Sequence, residues 1–317
     1  MDAGTLQMRA VAAVTTFNRD GYEQYGRRMI ESFERYWPRD LILYCYAEGF
    51  KPDIASRRIV VVDLLSACPE LVAFKQRHRD NERAHGTEVH GSRLQIYVKA
   101  RKASRWPIPK LKVNRIERGI GYRWNAVRFS HKSFAVFDAS VRCKADILCW
   151  LDGDILVFDE IPRTFLEELV PPDHLLGFLK RPKFSECGFI AYNLRHPAMR
   201  DFFAEFKALY TTDRLFREQE YHDSWLFDVV RKRFERRNCK TFDIAGGRGA
   251  YAGHVFINSP LGRYMDHMKG GRWALGSSSR EDLVAPRHEP YWARLAPGSD
   301  VDHAPGGAEG QRILVRQ

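Results

Sequence analysis

The sequence predicts an α/β protein with a mostly parallel, doubly wound sheet flanked by helices. Strand-like and helix-like segments alternate near the start of the chain, and Ile147–Leu151 form an apolar run typical of a central strand covered on both faces. With 317 residues, 44% of them hydrophobic, the chain can form one large core. We therefore expect a single domain over residues 1–284, followed by a Gly/Pro-rich tail over residues 285–317.

The first elements follow the order strand, helix, strand, strand. Apolar periodicity places them at residues 9–17, 22–37, 41–46 and 58–62. Asn18 or Asp20 can cap the helix, and Pro38 ends it. This spacing indicates parallel strands, whose carboxyl ends gather ligands at one edge of the sheet.

Several polar residues follow predicted strands directly. They are Thr15, Thr16 and Asp63, together with the pair Asp152 and Asp154. Because the carboxyl ends of parallel strands meet at one edge, we expect these side chains to contribute to one ligand site.

The segment Asp152-Gly153-Asp154 predicts a metal site. Two like charges one residue apart repel each other and are costly to desolvate unless a cation compensates them. Gly153 allows a turn that directs both carboxylates to one point. Such an oxygen pair suits Mg²⁺ or Mn²⁺, ions that usually hold substrate phosphates. A simple Asp-Gly turn is the structural alternative.

The net charge of +11 is concentrated in one segment. Residues 75–118 contain thirteen Lys or Arg and four acids. We interpret residues 75–121 as a basic insertion that also carries Tyr97 and Trp106, a combination that can bind a polyanion or stack on sugars and bases. A solvated loop with cationic decoration is the alternative.

A helix is predicted over residues 124–141, ahead of the central strand. Arg128 and Lys132 are four positions apart and share one side of it. These cations either face a diphosphate or belong to the solvent-exposed face.

The second half of the chain continues the alternation. We predict a helix, two strands, two helices and a final strand at residues 164–169, 175–180, 188–193, 197–210, 220–234 and 255–258. His267 then precedes a Gly-rich, basic turn containing Lys269, Gly270 and Arg272. This histidine is either structural or a metal ligand, in which case the turn's amides and Arg272 would face phosphate.

The order of these motifs resembles that of nucleotide-sugar glycosyltransferases with the GT-A architecture, and glycogenin-like (LPS-type) transferases in particular. The resemblance covers roughly residues 9–280 and is carried by three segments: Leu151-Asp152-Gly153-Asp154, residues 187–193 and residues 267–273. It implies that Asp152, Asp154 and His267 bind Mn²⁺ or Mg²⁺, which bridges the diphosphate of a UDP- or GDP-sugar.

Three departures from that family concern the substrate side. The family has Asn-Ala-Gly where this chain has Glu186-Cys187-Gly188, and its phosphate-binding lysine falls at Trp273. Its acidic-glutamine motif on the acceptor side becomes His222-Asp223-Ser224. Within this resemblance, Lys132 and Arg272 would stabilise the leaving diphosphate.

Glu186 and Asp223 are the candidate catalytic carboxylates on the acceptor side. As alternatives, Glu186 binds acceptor hydroxyl groups, and Asp223 only caps its helix.

Two functional hypotheses follow. The first is a metal-dependent glycosyltransferase whose acceptor is a bacterial surface glycan or lipid-linked saccharide, met at a membrane face through residues 75–118, or modified DNA. The second is a non-catalytic protein that binds nucleic acid or an anionic surface. No apolar stretch approaches the ~20 residues of a membrane span, so we expect a cytoplasmic protein, at the inner membrane face if the acceptor is lipid-linked.

Overall fold

The computed structural model describes residues 8–89, 94–98, 109–113, 118–247, 254–270 and 272–295. The strands in these ranges are β1 (Val11–Asn18), β2 (Ile42–Glu48), β3 (Ile59–Asp63), β4 (Thr87–Val89), β5 (Leu94–Val98), β6 (Pro109–Val113), β7 (Arg118–Ile120), β8 (Ile147–Leu151), β9 (Ile155–Val157), β10 (Leu176–Leu179), β11 (Glu186–Asn193), β12 (Thr241–Asp243) and β13 (Met265–His267).

The α-helices are α1 (Arg19–Gly21), α2 (Arg27–Tyr36), α3 (Leu64–Ala67), α4 (Pro69–Arg77), α5 (Ala126–Arg142), α6 (Arg163–Glu168), α7 (Met199–Thr211), α8 (Asp223–Arg236), α9 (Val255–Asn258), α10 (Arg272–Leu275) and α11 (Pro290–Ala293). A π-helical turn, Tyr22–Gly26, joins α1 to α2. Tighter 3₁₀ turns occur at Glu82–His85, Tyr122–Trp124, Arg214–Arg217, Pro260–Arg263 and Arg280–Asp282. None of the helices in the described ranges is both long and apolar enough to cross a membrane.

A seven-stranded sheet in the order β12-β10-β11-β8-β1-β2-β3 forms the centre of the fold. β1 pairs in parallel with β2 and β8, β2 with β3, and β10 with β12, whereas β11 is antiparallel to both of its neighbours. The predicted class, a mostly parallel sheet flanked by helices, is therefore confirmed.

Each face of the sheet covers its own hydrophobic core. Side chains alternate along β8, so that Leu148 and Trp150 face α5, α7 and α8, whereas Cys149 and Leu151 face α2 and α6. Every residue of β8 is buried, as its continuous apolar pattern predicted. Burial of each large apolar side chain stabilises the fold by roughly 1.5–3 kcal/mol.

One predicted strand is wrong. Residues 255–258 form the helical turn α9, and the last strand is β13 instead. A run of four apolar residues does not distinguish a strand from a buried helical turn. Here the Asn258 amide donates to the carbonyl oxygens of His254 and Asp282, which fixes the turn at its end. The other predicted elements named above occur, with ends shifted by a few residues.

The basic insertion contains two antiparallel ladders that share one register. Thr87 pairs with Ile120 in the first ladder and Leu94 with Val113 in the second, so the second lies where an extension of the first would place it. The part of the insertion between Gly86 and Gly121 begins and ends at neighbouring backbone positions, since the Gly121 amide donates to the Gly86 carbonyl oxygen over 2.8 Å. We call residues 87–120 the arm. The side chains of Tyr97 and Trp106, and of the lysines and arginines from Arg93 to Arg118, lie outside the described residues.

Four basic side chains that precede the arm have hydrogen-bond or ion-pair partners within the protein. Lys75 pairs with Glu48, Arg77 with Asp213, and Arg79 with Asp80, while Arg83 donates to the Phe216 carbonyl oxygen. They belong to the body of the protein rather than to the arm.

The first part of the predicted tail packs on the body. Tyr291 stacks on Phe158 with ring centroids 4.0 Å apart, and the buried Trp292 donates its indole N–H to the Gly262 carbonyl oxygen over 2.7 Å. The packed domain therefore continues beyond residue 284. Residues 296–317 lie outside the described ranges.

Candidate functional site

Two strand ends converge on a cluster of two carboxylates and an imidazole. Asp152-Gly153-Asp154 follow β8 directly and lead into β9, which pairs with β13 so that His267 lies opposite Ile155. His267 Nε2 is 3.1 Å from Asp154 Oδ1 and 3.6 Å from Asp152 Oδ2. One ligand atom from each of the three residues lies within 4.8 Å of the others. The pairing of β9 with β13 thus brings a histidine from late in the chain to the predicted carboxylate pair.

A glycine on the neighbouring strand makes room for the imidazole. A Cβ atom at Gly188 in β11 would lie 2.5 Å from Cε1 and 2.7 Å from Nδ1 of His267, far closer than real Cβ contacts. Gly153 is similarly close to Tyr25, whose ring would be 3.0 Å from a Cβ at that position. The absence of a side chain at these two glycines lets His267 and Tyr25 pack directly against the backbone of the site.

His267 is surrounded by negative charge. Its side chain is only 2% exposed, and Nδ1 has no hydrogen-bond partner among the described residues, although Glu186 Oε1 lies 3.9 Å away. Burial alone would lower the pKa of His267, but the charges of Asp154, Asp152 and Glu186 raise it to about 10. Without a metal ion, His267 is therefore an imidazolium at neutral pH.

Lys132 is the second cation of the site. From α5, its Nζ reaches Asp152 Oδ1 at 2.9 Å and Asp223 Oδ2 at 2.8 Å, and it lies 4.7 Å from the centroid of the Trp150 ring. Burial alone would raise the pKa of both carboxyl groups, but Lys132 holds both well below their usual range. Trp150 adds an indole N–H donor, 2.7 Å from Asp152 Oδ1. The two carboxylates are therefore ionised and oriented.

The donor set fits a divalent cation. Asp152 and Asp154 offer carboxylate oxygens, and deprotonation of His267 would free Nε2 as a third ligand. Nδ1 would then carry the proton on the side of Glu186, whose Oε1 lies 3.9 Å away, beyond hydrogen-bond distance, so that Glu186 acts on the ring through its charge.

A cavity of about 610 Å³ opens beside Asp152 and Asp154, at the carboxyl ends of β1, β2 and β8. Its lining consists of Thr16, Phe17, Asn18, Tyr25, Glu48, His85, Asn125, Val127, Arg128, Phe129, His131, Lys132, Trp150, Asp152, Gly153, Asp154 and Asp223. Four of these side chains are carboxylates, and only Arg128 and Lys132 are permanently cationic. The cavity therefore repels an anionic ligand unless a cation joins it.

The cavity contains some of the predicted ligand residues and leaves others outside. Thr16 lines it, but Thr15 lies on the other face of β1, where it is fully buried with no hydrogen-bond partner for its hydroxyl group among the described residues. Strand alternation sends neighbouring side chains to opposite faces. Asp63 caps α3 by accepting the Ser66 amide at 2.7 Å and does not line the cavity.

A second cavity, of about 400 Å³, lies on the other side of Glu186. Among the described residues it has no lining side chain in common with the first. Glu186 accepts Lys269 Nζ at 2.6 Å and lies 3.0 Å from Arg181, and these cations hold the pKa of its buried carboxyl group well below the usual range. Arg272 is paired with Asp282, with Nε 2.8 Å from Oδ2.

These contacts concern three of the predicted site residues. Glu186 pairs with two cations and lies beside His267, and it does not line the cavity that holds Asp152 and Asp154. Lys269 pairs with Glu186 and Arg272 with Asp282, and their contact with a phosphate stays a prediction. Gly270 turns the chain between them, with a φ of +66° that favours glycine.

Sequence reasoning missed several polar residues that line the first cavity, among them Tyr25, Glu48 and His131. Tyr25 falls within the predicted helix of residues 22–37, but it lies in the π-helical turn, a feature often found at functional sites. Glu48 pairs with His131 at 3.1 Å, and burial lowers the pKa of that histidine to about 4. His131 could have been found because it is three positions from Arg128 and shares its side of α5.

Comparison with protein families and curated proteins gives no match. Solved structures that resemble the chain include the glycosyltransferase GlyE of Streptococcus pneumoniae, at 11% identity, 76% coverage of this chain, 46% of that one and a TM-score of 0.38.

Mouse xyloside xylosyltransferase 1 shares 12% identity with this chain; the match covers 74% of this chain and 84% of that one, with a TM-score of 0.40. The galactosyltransferase LgtC, solved with donor and acceptor sugar analogues, shares 13% identity, with 68% and 69% covered and a TM-score of 0.38. This chain spans less than half the length of the pneumococcal protein.

Proposed function

We propose that this protein is a metal-dependent glycosyltransferase that moves a sugar from a UDP- or GDP-sugar to an acceptor hydroxyl group. One observation carries the proposal: the pairing of β9 with β13 brings the buried His267 to Asp152 and Asp154, and these two carboxylates line the 610 Å³ cavity. A cavity of this size accommodates a ligand as large as a nucleotide-sugar. Because its lining is rich in carboxylates, a diphosphate needs a divalent cation there.

Mn²⁺ or Mg²⁺ would be held by Asp152, Asp154 and His267, and the imidazole makes Mn²⁺ the better match. When bound, the ion supplies positive charge to the leaving diphosphate. Lys132 keeps Asp152 and Asp223 ionised and oriented at the same end of the cavity.

In the transfer, the acceptor oxygen forms a bond to the anomeric carbon, and the bond from that carbon to the diphosphate oxygen breaks. The bonding electrons leave with the diphosphate, and the acceptor proton passes to a base or to the leaving group. Asp223 is our candidate for the carboxylate beside the reacting sugar, since it lines the cavity with the metal ligands. Glu186 serves as a positioning residue behind His267.

A screen of UDP- and GDP-sugars with Mn²⁺ tests the donor assignment. A donor at 100 times its Kd should stabilise the native state by about 2.7 kcal/mol, and the increase in Tm should require the metal. Asp154→Asn should abolish metal-dependent donor hydrolysis while the protein stays folded. Asp159→Asn, a carboxylate just past β9 and outside the cavity, is the matched control. Full activity of Asp154→Asn, or no donor-induced shift with any sugar, would contradict the proposal.

A further inference from the structure

Three aromatic side chains form a lip next to Asp223. Tyr122, Phe129 and Phe184 surround the ring of His222, with centroid distances of 5.9, 6.1 and 4.7 Å. Tyr122 is 53% exposed, and the other two are partly exposed. We call Tyr122, Phe129 and Phe184 the aromatic lip. Phe129 also lines the first cavity, so the lip continues from the proposed donor site.

Backbone and buried polar contacts hold the lip in place. The Arg123 carbonyl oxygen accepts the amides of Tyr221 and His222 at 2.7 and 3.0 Å. Glu220, whose side chain is 9% exposed, lies 2.9 Å from His222 Nε2. The segment that carries Tyr122 is thereby attached to the start of α8, which carries Asp223.

Cations accompany every ring of the lip. Within 6.0 Å of the ring centroids lie Arg123 over Tyr122, Arg128 over Phe129, and Arg181 and Lys183 over Phe184. Arg123 and Lys183 share one carboxylate, Glu220, at 3.5 and 3.4 Å. Arg181 shares Glu186 with Lys269, and Arg128 has no ion pair among the described residues. The four cations around the rings therefore outnumber the neighbouring carboxylates Glu186, Glu220 and Asp223, and Asp223 is already paired with Lys132.

Exposed aromatic rings interleaved with cations suit single-stranded nucleic acid, because bases stack on the rings and phosphates meet the cations. A neutral glycan would use the rings but would gain little from the excess of charge. The arm ends with β7 at Ile120, two residues before Tyr122, and the contact between Gly86 and Gly121 brings its start to the same place. The cationic sequence of residues 93–118 is therefore attached beside the aromatic lip.

We propose that the aromatic lip binds the acceptor and that the acceptor is a nucleic-acid strand, presented as single strand or as a nucleotide turned out of a duplex. The acceptor role depends on the proposed transferase function, whereas the binding itself can be measured without any transfer. A base stacked on Phe129 or Phe184 would lie beside His222, the residue that precedes Asp223. Because an internal deoxynucleotide has no free hydroxyl group, the oxygen that accepts the sugar would belong to a hydroxylated, modified base.

Fluorescence anisotropy with a labelled oligothymidylate of about 20 nucleotides tests the binding. Tyr122→Ala and Phe184→Ala should each weaken it about fivefold or more, the loss of one stacked base. Lys183→Gln should reduce the slope of log K against log salt by about 0.7, the value for one phosphate contact with single-stranded DNA. Arg35→Gln, which removes a cation over Tyr36 outside both cavities, is the matched control and should leave affinity and slope nearly unchanged.

The outcomes separate the two proposals. If the lip variants bind the oligonucleotide as the wild type does, and a donor still raises the Tm of the wild type, the proposed role of the aromatic lip is overturned but the proposed transferase function is not. Preferential binding to anionic phospholipid vesicles or to neutral dextran, lost in Tyr122→Ala, would overturn the nucleic-acid assignment. If no donor shifts the wild-type Tm, the transferase proposal fails and so does the acceptor role. Tyr122→Ala is the variant to rely on if Phe184→Ala does not fold, because Tyr122 is well exposed.

Discussion

Gly188→Ala should damage the candidate metal site through a single added methyl group. The new Cβ would lie 2.5 Å from His267 Cε1, whereas carbon atoms normally approach to about 3.5–4.0 Å, so the ring must move by about 1 Å. The ring is 2% exposed and packs against Phe256 at a centroid distance of 5.1 Å, which leaves it little space to move. We expect a loss of about 1–3 kcal/mol in the free energy of unfolding, the usual cost of overpacking.

The same displacement should weaken metal binding. Metal ligands tolerate distance errors of about 0.2 Å, and disturbing the residues that orient a ligand typically costs about 10- to 100-fold in affinity. Isothermal titration with Mn²⁺ measures the affinity, and urea denaturation without metal measures the stability of the same variant.

A double-mutant cycle identifies the cause. In a His267→Ala background the imidazole ring is absent, so Gly188→Ala should lower the free energy of unfolding by less than about 0.5 kcal/mol. An equal cost in both backgrounds would refute the reasoning, because the added methyl group would then be clashing with something other than His267.

Three further predictions concern buried charge. Lys132→Met should cost about 1–3 kcal/mol of stability in urea denaturation, because it leaves two partly buried carboxylates without their cation, whereas Lys207→Met, at an exposed ion pair, should cost at most about 1 kcal/mol; similar costs would contradict this. Burial lowers the pKa of His131 and His254 to about 4, so the unfolded chain takes up protons first as the pH falls below about 6.5. Between pH 6.5 and 4 the free energy of unfolding should drop by up to about 1.4 kcal/mol per pH unit for each histidine, and equal stability at pH 7 and 5 would disagree with it. Because the pKa of His267 is about 10, Mn²⁺ binding at pH 7 should release about one proton, measurable as a buffer-dependent binding enthalpy; an enthalpy independent of the buffer would exclude it.

The clustering of Asp152, Asp154 and His267 could be predicted because the signals of these residues are local or ordered along the chain. Asp152 and Asp154 follow a run of five apolar residues, a pattern typical of a central strand, and all five are buried in β8. His267 was implied by resemblance to a known family, and the pairing of β13 with β9 supplies the physical reason for its position.

The partners of the cations could not be predicted, since each ion pair joins distant parts of the chain. The sequence suggested that Lys132 and Arg272 face a phosphate, yet each has a carboxylate partner within the fold. Glu186 was expected to be a base, but two cations converge on it from a loop and from the turn after β13. Helical or strand periodicity contains no information about such pairs, which depend on tertiary packing.

The β9–β13 pair also has a consequence for folding. Asp154 and His267 can meet only after the chain between them has folded and returned, so the site is formed by contacts of very long sequence separation, which arise late. Tyr291 donates a hydrogen bond to Asp266 in β13 over 2.8 Å, so residues near the end of the described chain support the same strand. A nascent chain or a C-terminally truncated fragment would hold the two carboxylates without their histidine. Tight metal binding would then be a property of the complete fold alone and could serve as a reporter that folding has finished.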